Sequence, residues 1–163
     1  LSNSNRTFTT GTATAWARSA YQSTGKRYFE CVRSGPIMLA LGTSSFSLTT
    51  GSLITAGGKY ILWRTNQTQV FVNDVSVAGG AVCVDGDTLG IAIDFNTGVA
   101  WLIRNGTSIS GSPTAGTGGF NIGIGNIMSP AVRNGDGAIS AIDFVSTPNN
   151  VKYPIAGFTG FLA

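Results

Sequence analysis

The 163-residue sequence contains no histidine. Without it neither a Ser-His nor a Cys-His nucleophile pair can form, and the commonest metal-binding side chain is missing. Charged residues make up only 10% of the chain, whereas roughly a quarter is usual in soluble domains. No apolar run approaches the ~20 residues of a membrane-spanning helix, and no long stretch rich in Ala, Leu, Glu and Lys favours a helix. The sequence therefore predicts no membrane association and points away from helical folds.

The positive charges are dispersed. The net charge is +3, but the closest grouping of cations is Lys26-Arg27, followed by Arg33. Proteins that bind nucleic acid usually gather their cations on one face, so a nucleic-acid partner is not expected. A surface with so little charge suits a protein held in a large assembly, which predicts a homo-oligomer or a subunit of a larger particle.

Seven acidic residues remain as candidates for chemistry. Glycosidase chemistry needs two facing carboxylates, and the closest pair, Asp85 and Asp87, flanks a turn glycine, where Asp usually stabilises the turn. The stretches at 85–87 and 134–137 offer oxygens for calcium, but neither has the spacing of a recognised calcium loop. We therefore expect no catalytic residue, no metal site and no cofactor. An enzyme such as a depolymerase stays open only if acids from different strands converge.

The sequence has two cysteines, Cys31 and Cys83, both within apolar strand-like runs. Two thiols are too few for a disulfide framework, so buried free thiols are favoured, although the sequence alone does not decide whether they pair. The chain begins at Leu1 with a polar dozen residues, which predicts a processed or excised chain without a signal peptide.

Short apolar runs recur about every ten residues with turn-forming residues between them, a pattern typical of antiparallel sandwiches and barrels. Residues 25–32 and 36–44 are predicted as strands that can pair as a hairpin. Residues 59–77 are predicted as two or three strands, and the tail from Tyr153 as extended chain. In residues 1–24 the possible inward anchors are Phe8, Trp16 and Tyr21.

The stretch from Gly86 to Gly106 alternates most regularly. In its first strand, the alternation places one set of side chains on one face: Leu89, Ile91, Ile93 and Phe95. It places Gly90, Ala92 and Asp94 on the opposite face. Both faces are apolar or small, which predicts that both are covered, as in the central strands of a two-layer sandwich.

The order of these segments is similar to that of the SPRY domain. That family has a GK-x-Y-F-E strand, matched by "GKRYFECV" at 25–32, and a G-D-x-I-G hairpin ending in N-G, matched at 86–106. A Pro-Ala-Val strand is matched by "SPAV", and the resemblance spans about residues 25–155. It implies an all-β, antiparallel two-sheet β-sandwich of the SPRY-like, concanavalin-like jelly-roll type. Residues 1–163 would then form one domain, with 1–24 as N-terminal strands or arm and 25–155 as the core.

The resemblance also implies that Asp94 is structural rather than a general base. At the end of its strand the carboxylate would accept bonds from turn amides or from the opposing backbone, which stabilises the charged form. The residues expected to be structural on this basis are Asp87, Asp94, Gly98, Asn105 and Gly106.

SPRY domains are binding modules without catalytic residues, and the Ser/Thr/Gly/Asn-rich composition resembles SPRY-like domains of tailed-phage virion proteins. We therefore expect a non-enzymatic structural or decorating domain in a virion, with other virion subunits or a host surface receptor as partners. The alternative is an adhesin-like module for a host glycan or surface protein. Contacts are expected from loops at 43–58, 105–119 and 125–137, with the candidate binding residues Phe46, Leu48, Ser110, Thr114, Asn126 and Arg133.

Overall fold

The structure is a computed structural model that describes residues 7–10, 16–18, 21–45, 58–134, 140–145 and 151–161. The described residues form strands, turns and irregular segments and contain no helix. This part of the chain therefore has no helix that is long and apolar enough to cross a membrane. The strands are β1 (Thr7–Thr10), β2 (Trp16–Arg18), β3 (Lys26–Val32), β4 (Ile37–Thr43), β5 (Tyr60–Arg64), β6 (Val70–Val72), β7 (Val75–Val77), β8 (Thr88–Asp94), β9 (Val99–Arg104), β10 (Thr107–Ser108), β11 (Gly111–Ser112), β12 (Thr117–Gly118), β13 (Phe120–Asn121), β14 (Met128–Asn134) and β15 (Ser140–Val145).

These strands build two large antiparallel sheets. Sheet I has the order β1-β15-β3-β8-β9-β10, with β13 also paired to β9, and sheet II has the order β2-β14-β4-β5-β6-β7. Strands β11 and β12 pair with each other as a separate small hairpin. The predicted all-β, antiparallel two-sheet sandwich is therefore confirmed.

The inward faces of the two sheets share one buried core. Sheet I contributes Phe29, Leu89 and Ile91, and sheet II contributes Leu39 and Trp63, all without solvent exposure. Full burial of each such side chain is worth about 1.5–3 kcal/mol. Both cysteines, Cys31 and Cys83, are free thiols in this core, and burial raises the pKa of Cys83 to about 11.

The β8–β9 hairpin has the two faces that its alternation predicts. Leu89, Ile91 and Ile93 pack in the shared core, while Ala92 and Trp101 lie buried on the outer face of sheet I. The side chains divide in this way because successive residues of a strand point to opposite sides.

The outer face of sheet I is covered by residues 151–158, an irregular segment with a turn at 156–157. Thr159 then pairs with Arg27 beside β3, and Phe161 lies in the core between the two sheets. Val151, Ile155 and Phe158 pack against the sheet, and the Phe158 ring meets the Trp101 ring edge-on at a centroid distance of 6.3 Å. This segment explains how a strand can be buried on both faces in a sandwich of only two large sheets.

Glu30 holds this segment in place. Its side chain is buried on β3, where Oε2 accepts a hydrogen bond from the Tyr28 hydroxyl at 2.9 Å and one from the Tyr153 N–H at 3.3 Å, and Oε1 accepts one from the Lys152 N–H. At the far end, the Thr159 N–H donates to the Lys26 carbonyl at 3.0 Å. A buried carboxylate needs such donors because water no longer solvates it.

The predicted hairpin between residues 25–32 and 36–44 is wrong. β3 pairs with β8 and β15 in sheet I, whereas β4 pairs with β5 and β14 in sheet II. The link between them crosses from one sheet to the other, and Arg33 exchanges backbone hydrogen bonds with Gly86 and Asp87 there. Both sides of β3 are already occupied, so no position is left for β4 beside it.

Three further expectations need correction. The predicted loop at 105–119 contains the short strands β10, β11 and β12, and the predicted loop at 125–137 overlaps β14, which lies inside sheet II. Tyr21 is not an inward anchor, because 42% of its surface is exposed. The side chains of Phe8 and Trp16 lie outside the described residues, as do most of the predicted loop at 43–58 and residues 135–137.

Candidate interaction surfaces

A buried polar network closes the base of the β8–β9 hairpin around Asp87. Its Oδ2 accepts from Arg104 Nε and from the Val84 N–H, at 2.8 and 2.9 Å, and its Oδ1 accepts from the Asn105 amide at 2.7 Å. Burial by itself raises the pKa of Asp87, but the hydrogen bonds from Val84, Asn105 and Arg104 outweigh it and hold the pKa below its usual value. Asp87 is therefore placed to hold the hairpin together rather than to exchange protons near neutral pH.

Asn105 and Gly106 form the turn that leads from β9 to β10. Both have positive φ angles, 50° and 80°, as a two-residue hairpin turn of this type requires. The Asn105 side chain accepts from the Thr88 N–H at 2.8 Å. A Cβ atom at Gly106 would lie 2.7 Å from the Tyr153 ring, so glycine allows residues 151–161 to approach the turn.

Asp94 lies at the opposite end of the hairpin and contacts the turn, as the sequence predicts. Its Oδ1 accepts from the Asn96 N–H at 2.9 Å, and its carbonyl accepts from the N–H groups of Thr97 and Gly98. Lys26 Nζ lies 3.9 Å from Oδ2. Asp94 as a whole is 8% exposed, which leaves its carboxylate little contact with solvent or with a substrate.

Gly98 positions a neighbouring loop, residues 122–127. Its φ is 69°, its carbonyl accepts from the Ile122 N–H at 2.8 Å, and a Cβ atom here would collide with the backbone of Gly123 and Ile124. The Asn126 amide, which donates to the carbonyls of Gly123 and Ile124, bonds the loop to itself. The hairpin turn thus serves as the support for this loop.

Three large apolar side chains are exposed on this loop or on the segment bridged to it, and we call them the apolar patch: Tyr21, Ile124 and Ile127. Ile124 is 69% exposed and Ile127 is 59% exposed. Tyr21 lies beside Gln22, which exchanges two backbone hydrogen bonds with Met128, so Tyr21 and Ile127 flank the same bridge. Exposed apolar side chains that are grouped in this way mark a contact surface more often than singly scattered ones do.

A second surface is a groove of about 220 Å³ on the outer side of sheet I. It lies between the turn of the β11–β12 hairpin and residues 154–156, with Ile103 of β9 as its floor. Pro113 and Thr114 line one side, Ile155 and Ala156 line the other, and Ser108 of β10 lines the sheet edge. None of the described residues that line this groove is charged or aromatic.

The six predicted binding residues fall in different places. Thr114 is exposed in the groove, whereas Ser110 accepts a hydrogen bond from the Leu102 N–H at 2.9 Å and Asn126 bonds its own loop. The prediction that Arg133 lies in a loop is wrong. Arg133 lies in β14 and is 7% exposed, and burial lowers its pKa. Phe46 and Leu48 lie outside the described residues.

The remaining candidates for chemistry are engaged in structural contacts. Asp85 forms an ion pair with Arg33 and accepts from the Gly35 N–H at 2.9 Å, so the 85–87 stretch has no free pair of carboxylates. Within the described part of the chain no three His, Cys, Asp or Glu side chains come together as metal ligands. Trp63 and Trp101 are buried, and each indole N–H donates to a backbone carbonyl, at 3.2 and 3.0 Å.

The sequence reasoning missed Ile103, Ile155, Ile124 and Ile127. The first two were read as strand and tail, and only the fold brings them together at the groove. Ile124 belongs to a short apolar run, "FNIGIG", whose pattern predicts a strand, whereas Ile127 falls within the predicted loop at 125–137 but was not among the candidate binding residues. The close spacing of glycines in that run was the available signal for a loop.

The architecture of the described strands is that of a SPRY-like β-sandwich, and solved structures share it. The SPRY domain of human HERC1 superposes with a TM-score of 0.67 at 10% identity, covering 89% of this chain and 91% of that one. The PSpry domain of TRIM65 gives a TM-score of 0.57 at 10% identity over 79% of this chain and 68% of that one. Stonustoxin gives 0.59 at 15% identity over 80% of this chain, which spans only 20% of the toxin chain.

No protein-family model and no curated protein sequence matches the chain. At such low identities the shared feature is the fold, and the residues that bind a partner have to be found in this chain itself.

Proposed function

We propose that this domain is a non-enzymatic binding module of a tailed-phage virion, where it attaches to other virion subunits as a structural or decorating domain. The observation that carries the proposal is the apolar patch, Tyr21, Ile124 and Ile127, which is exposed on and beside the loop that packs against Gly98. A rigid scaffold that presents a loop for contact is a common design for recognition. The phage context rests on the Ser/Thr/Gly/Asn-rich, weakly charged composition.

The absence of enzymatic activity is part of the proposal. Histidine is missing from the sequence, and the described carboxylates of Glu30, Asp74, Asp85, Asp87 and Asp94 each bond to a neighbouring group. A general acid or base needs access to substrate and a pKa near the working pH. These carboxylates are used to hold strands and turns instead.

The test is attachment to particles. The double variant Ile124→Ser/Ile127→Ser removes two largely exposed side chains whose burial at an interface is worth about 2–4 kcal/mol together. We expect the wild-type chain to co-sediment with purified virions and the double variant to bind at least about tenfold more weakly. Val75→Ser, at a site that is 60% exposed on β7, is the matched control and should bind as wild type. A chain that is absent from virions and does not sediment with them would contradict the proposal.

A second candidate, an adhesin-like module for a host surface protein or glycan, is favoured by the groove beside the β11–β12 turn, where Thr114 is exposed. Thr114→Glu, an exposed position in that turn, would then weaken binding to host cells without changing the melting temperature. Unaltered cell binding by that variant would count against it.

A further inference from the structure

The groove on sheet I has neutral walls. Its floor is the apolar side chain of Ile103, and Pro113 and Ile155 face it from the two sides. The polar groups along it belong to Ser108 and Thr114 and to the backbone, since no charged residue lines it. A charged ligand would lose its hydration there without gaining an opposite charge, so the groove favours an uncharged one.

The sheet edge along the groove carries main-chain groups that point outward. In β10, Thr107 pairs with Arg104 and the Ile109 N–H donates to the Leu102 carbonyl at 2.9 Å. In an antiparallel ladder the residue between two such positions turns its N–H and C=O away from the partner strand. Ser108 is that residue, and β10 is the last strand on its side of sheet I among the described residues.

Ser108 also has a hydroxyl without a partner. Its Oγ is buried at the wall of the groove and has no hydrogen bond with the described residues. Ser108 pairs with Ile103 across β9 and β10, so their side chains lie on the same face of sheet I, the face that carries the groove. A strand added beside β10 would direct alternate side chains to this same face.

We propose that the groove binds a neutral, extended peptide segment of a partner protein. The peptide backbone would bond to the N–H and C=O of Ser108 as an added strand, a known mode of peptide recognition. One apolar side chain of the peptide would lie over Ile103 between Pro113 and Ile155. This inference rests on the proposed function as a binding module, and it names the class of partner for a surface separate from the apolar patch.

A peptide fits this groove better than a glycan. No aromatic ring lines it, and the described tryptophans, Trp63 and Trp101, are buried with their indole N–H groups bonded. A sugar ring would therefore find no aromatic face to stack on, whereas an extended peptide finds an edge strand and an apolar floor.

The test is a titration of the ¹⁵N-labelled 163-residue chain with two capped peptides and one sugar, followed by amide NMR. The peptides are acetyl-Thr-Leu-Thr-amide and acetyl-Thr-Glu-Thr-amide, and the sugar is maltotriose. We expect the leucine peptide to shift the Ser108 amide with saturation in the millimolar range. The glutamate peptide should reach no more than a tenth of that affinity. Thr114→Glu should weaken the leucine peptide at least tenfold, whereas Ala115→Glu, exposed in the same turn but outside the groove, should leave its affinity within twofold.

The inference is overturned if the leucine peptide leaves the Ser108 amide unshifted, or if the glutamate peptide binds equally well. It is also overturned if maltotriose shifts these amides at lower concentration than the peptide, or if both charged variants weaken binding alike. Melting temperatures of the two variants show that they are folded. Particle attachment through Ile124 and Ile127 is measured separately, so a failure at the groove leaves the proposed virion role standing.

Discussion

The contacts of Glu30 predict that this one carboxylate secures the C-terminal segment, residues 151–161. Glu30→Gln keeps the size of the side chain but places an amide where the carboxylate accepts from the Tyr28 hydroxyl and from the N–H groups of Lys152 and Tyr153. Hydrogen bonds to a charged group are worth about 1.5–3 kcal/mol each. Their contributions are not additive, and the amide oxygen still accepts one bond. We therefore expect the variant to lose about 2–4 kcal/mol of the free energy that holds this segment on sheet I.

Two measurements report this loss. Trypsin cleavage after Lys152 requires the segment to detach, so its rate in native conditions should rise about 30- to 1000-fold. In a urea titration, the fluorescence of Trp101 should change over the urea concentrations at which the segment detaches, because the Trp101 ring packs against Phe158. Asp74→Asn is the matched control: it also converts an acid to an amide, but at an exposed turn with a φ of 72° that asparagine tolerates. If Glu30→Gln is within about 0.5 kcal/mol of wild type and is cleaved no faster, the reasoning about the segment is refuted.

The other predictions concern the β8–β9 hairpin. Asp94→Asn should cost about 1–3 kcal/mol in urea denaturation and leave partner binding intact; normal stability together with lost binding would show that Asp94 contacts the partner. Because the pKa of Asp87 is lowered in the folded state, its contribution is present above the unfolded pKa and is lost as the pH falls through the folded pKa. The free energy of unfolding of the wild type should thus fall below about pH 4, and Asp87→Asn should make its pH dependence flatter. Parallel curves of unfolding free energy against pH for the two proteins would contradict this role of Asp87. Gly98→Ala should lower the free energy of unfolding by about 2–3 kcal/mol and weaken particle attachment. Gly116→Ala, at a residue with the same φ of 69° but open space around it, should lower it by only about 1 kcal/mol. Equal losses in calorimetry would argue against the contact between Gly98 and the loop at 122–127.

Local features of the sequence were enough to predict most strands. The alternation from Gly86 to Gly106 predicted β8, β9 and their two buried faces, because a strand repeats every two residues and the turn residues mark its ends. Asn73 and Asp74, residue types that favour turns, likewise occupy the turn between β6 and β7, where both have positive φ angles. Such features depend only on near neighbours in the chain.

The candidate site was predicted only in part. Thr114 lies on an exposed turn, and its role in binding stays a prediction. Arg133 follows the short "SPAV" run next to a polar, glycine-rich stretch, a pattern that predicts a loop. In the structure the strand continues through Arg133, since both edges of β14 are paired, with β2 and β4. Pairing with strands that are distant in the sequence thus made β14 longer than the "SPAV" run by itself predicts.

The sequence by itself determined the character of most of the longer β-segments, several of the turns between them and the lack of histidine chemistry. Only the tertiary structure decided that β3 and β4 belong to different sheets, that residues 151–158 cover sheet I, and that Ile103 and Ile155 meet at one groove. These facts depend on contacts between residues far apart in the chain, such as Glu30 with Lys152, whose partners no local pattern identifies. Burial has the same origin: Ile124 and Ile103 are equally apolar, but one is exposed and the other buried because of what the fold packs against each.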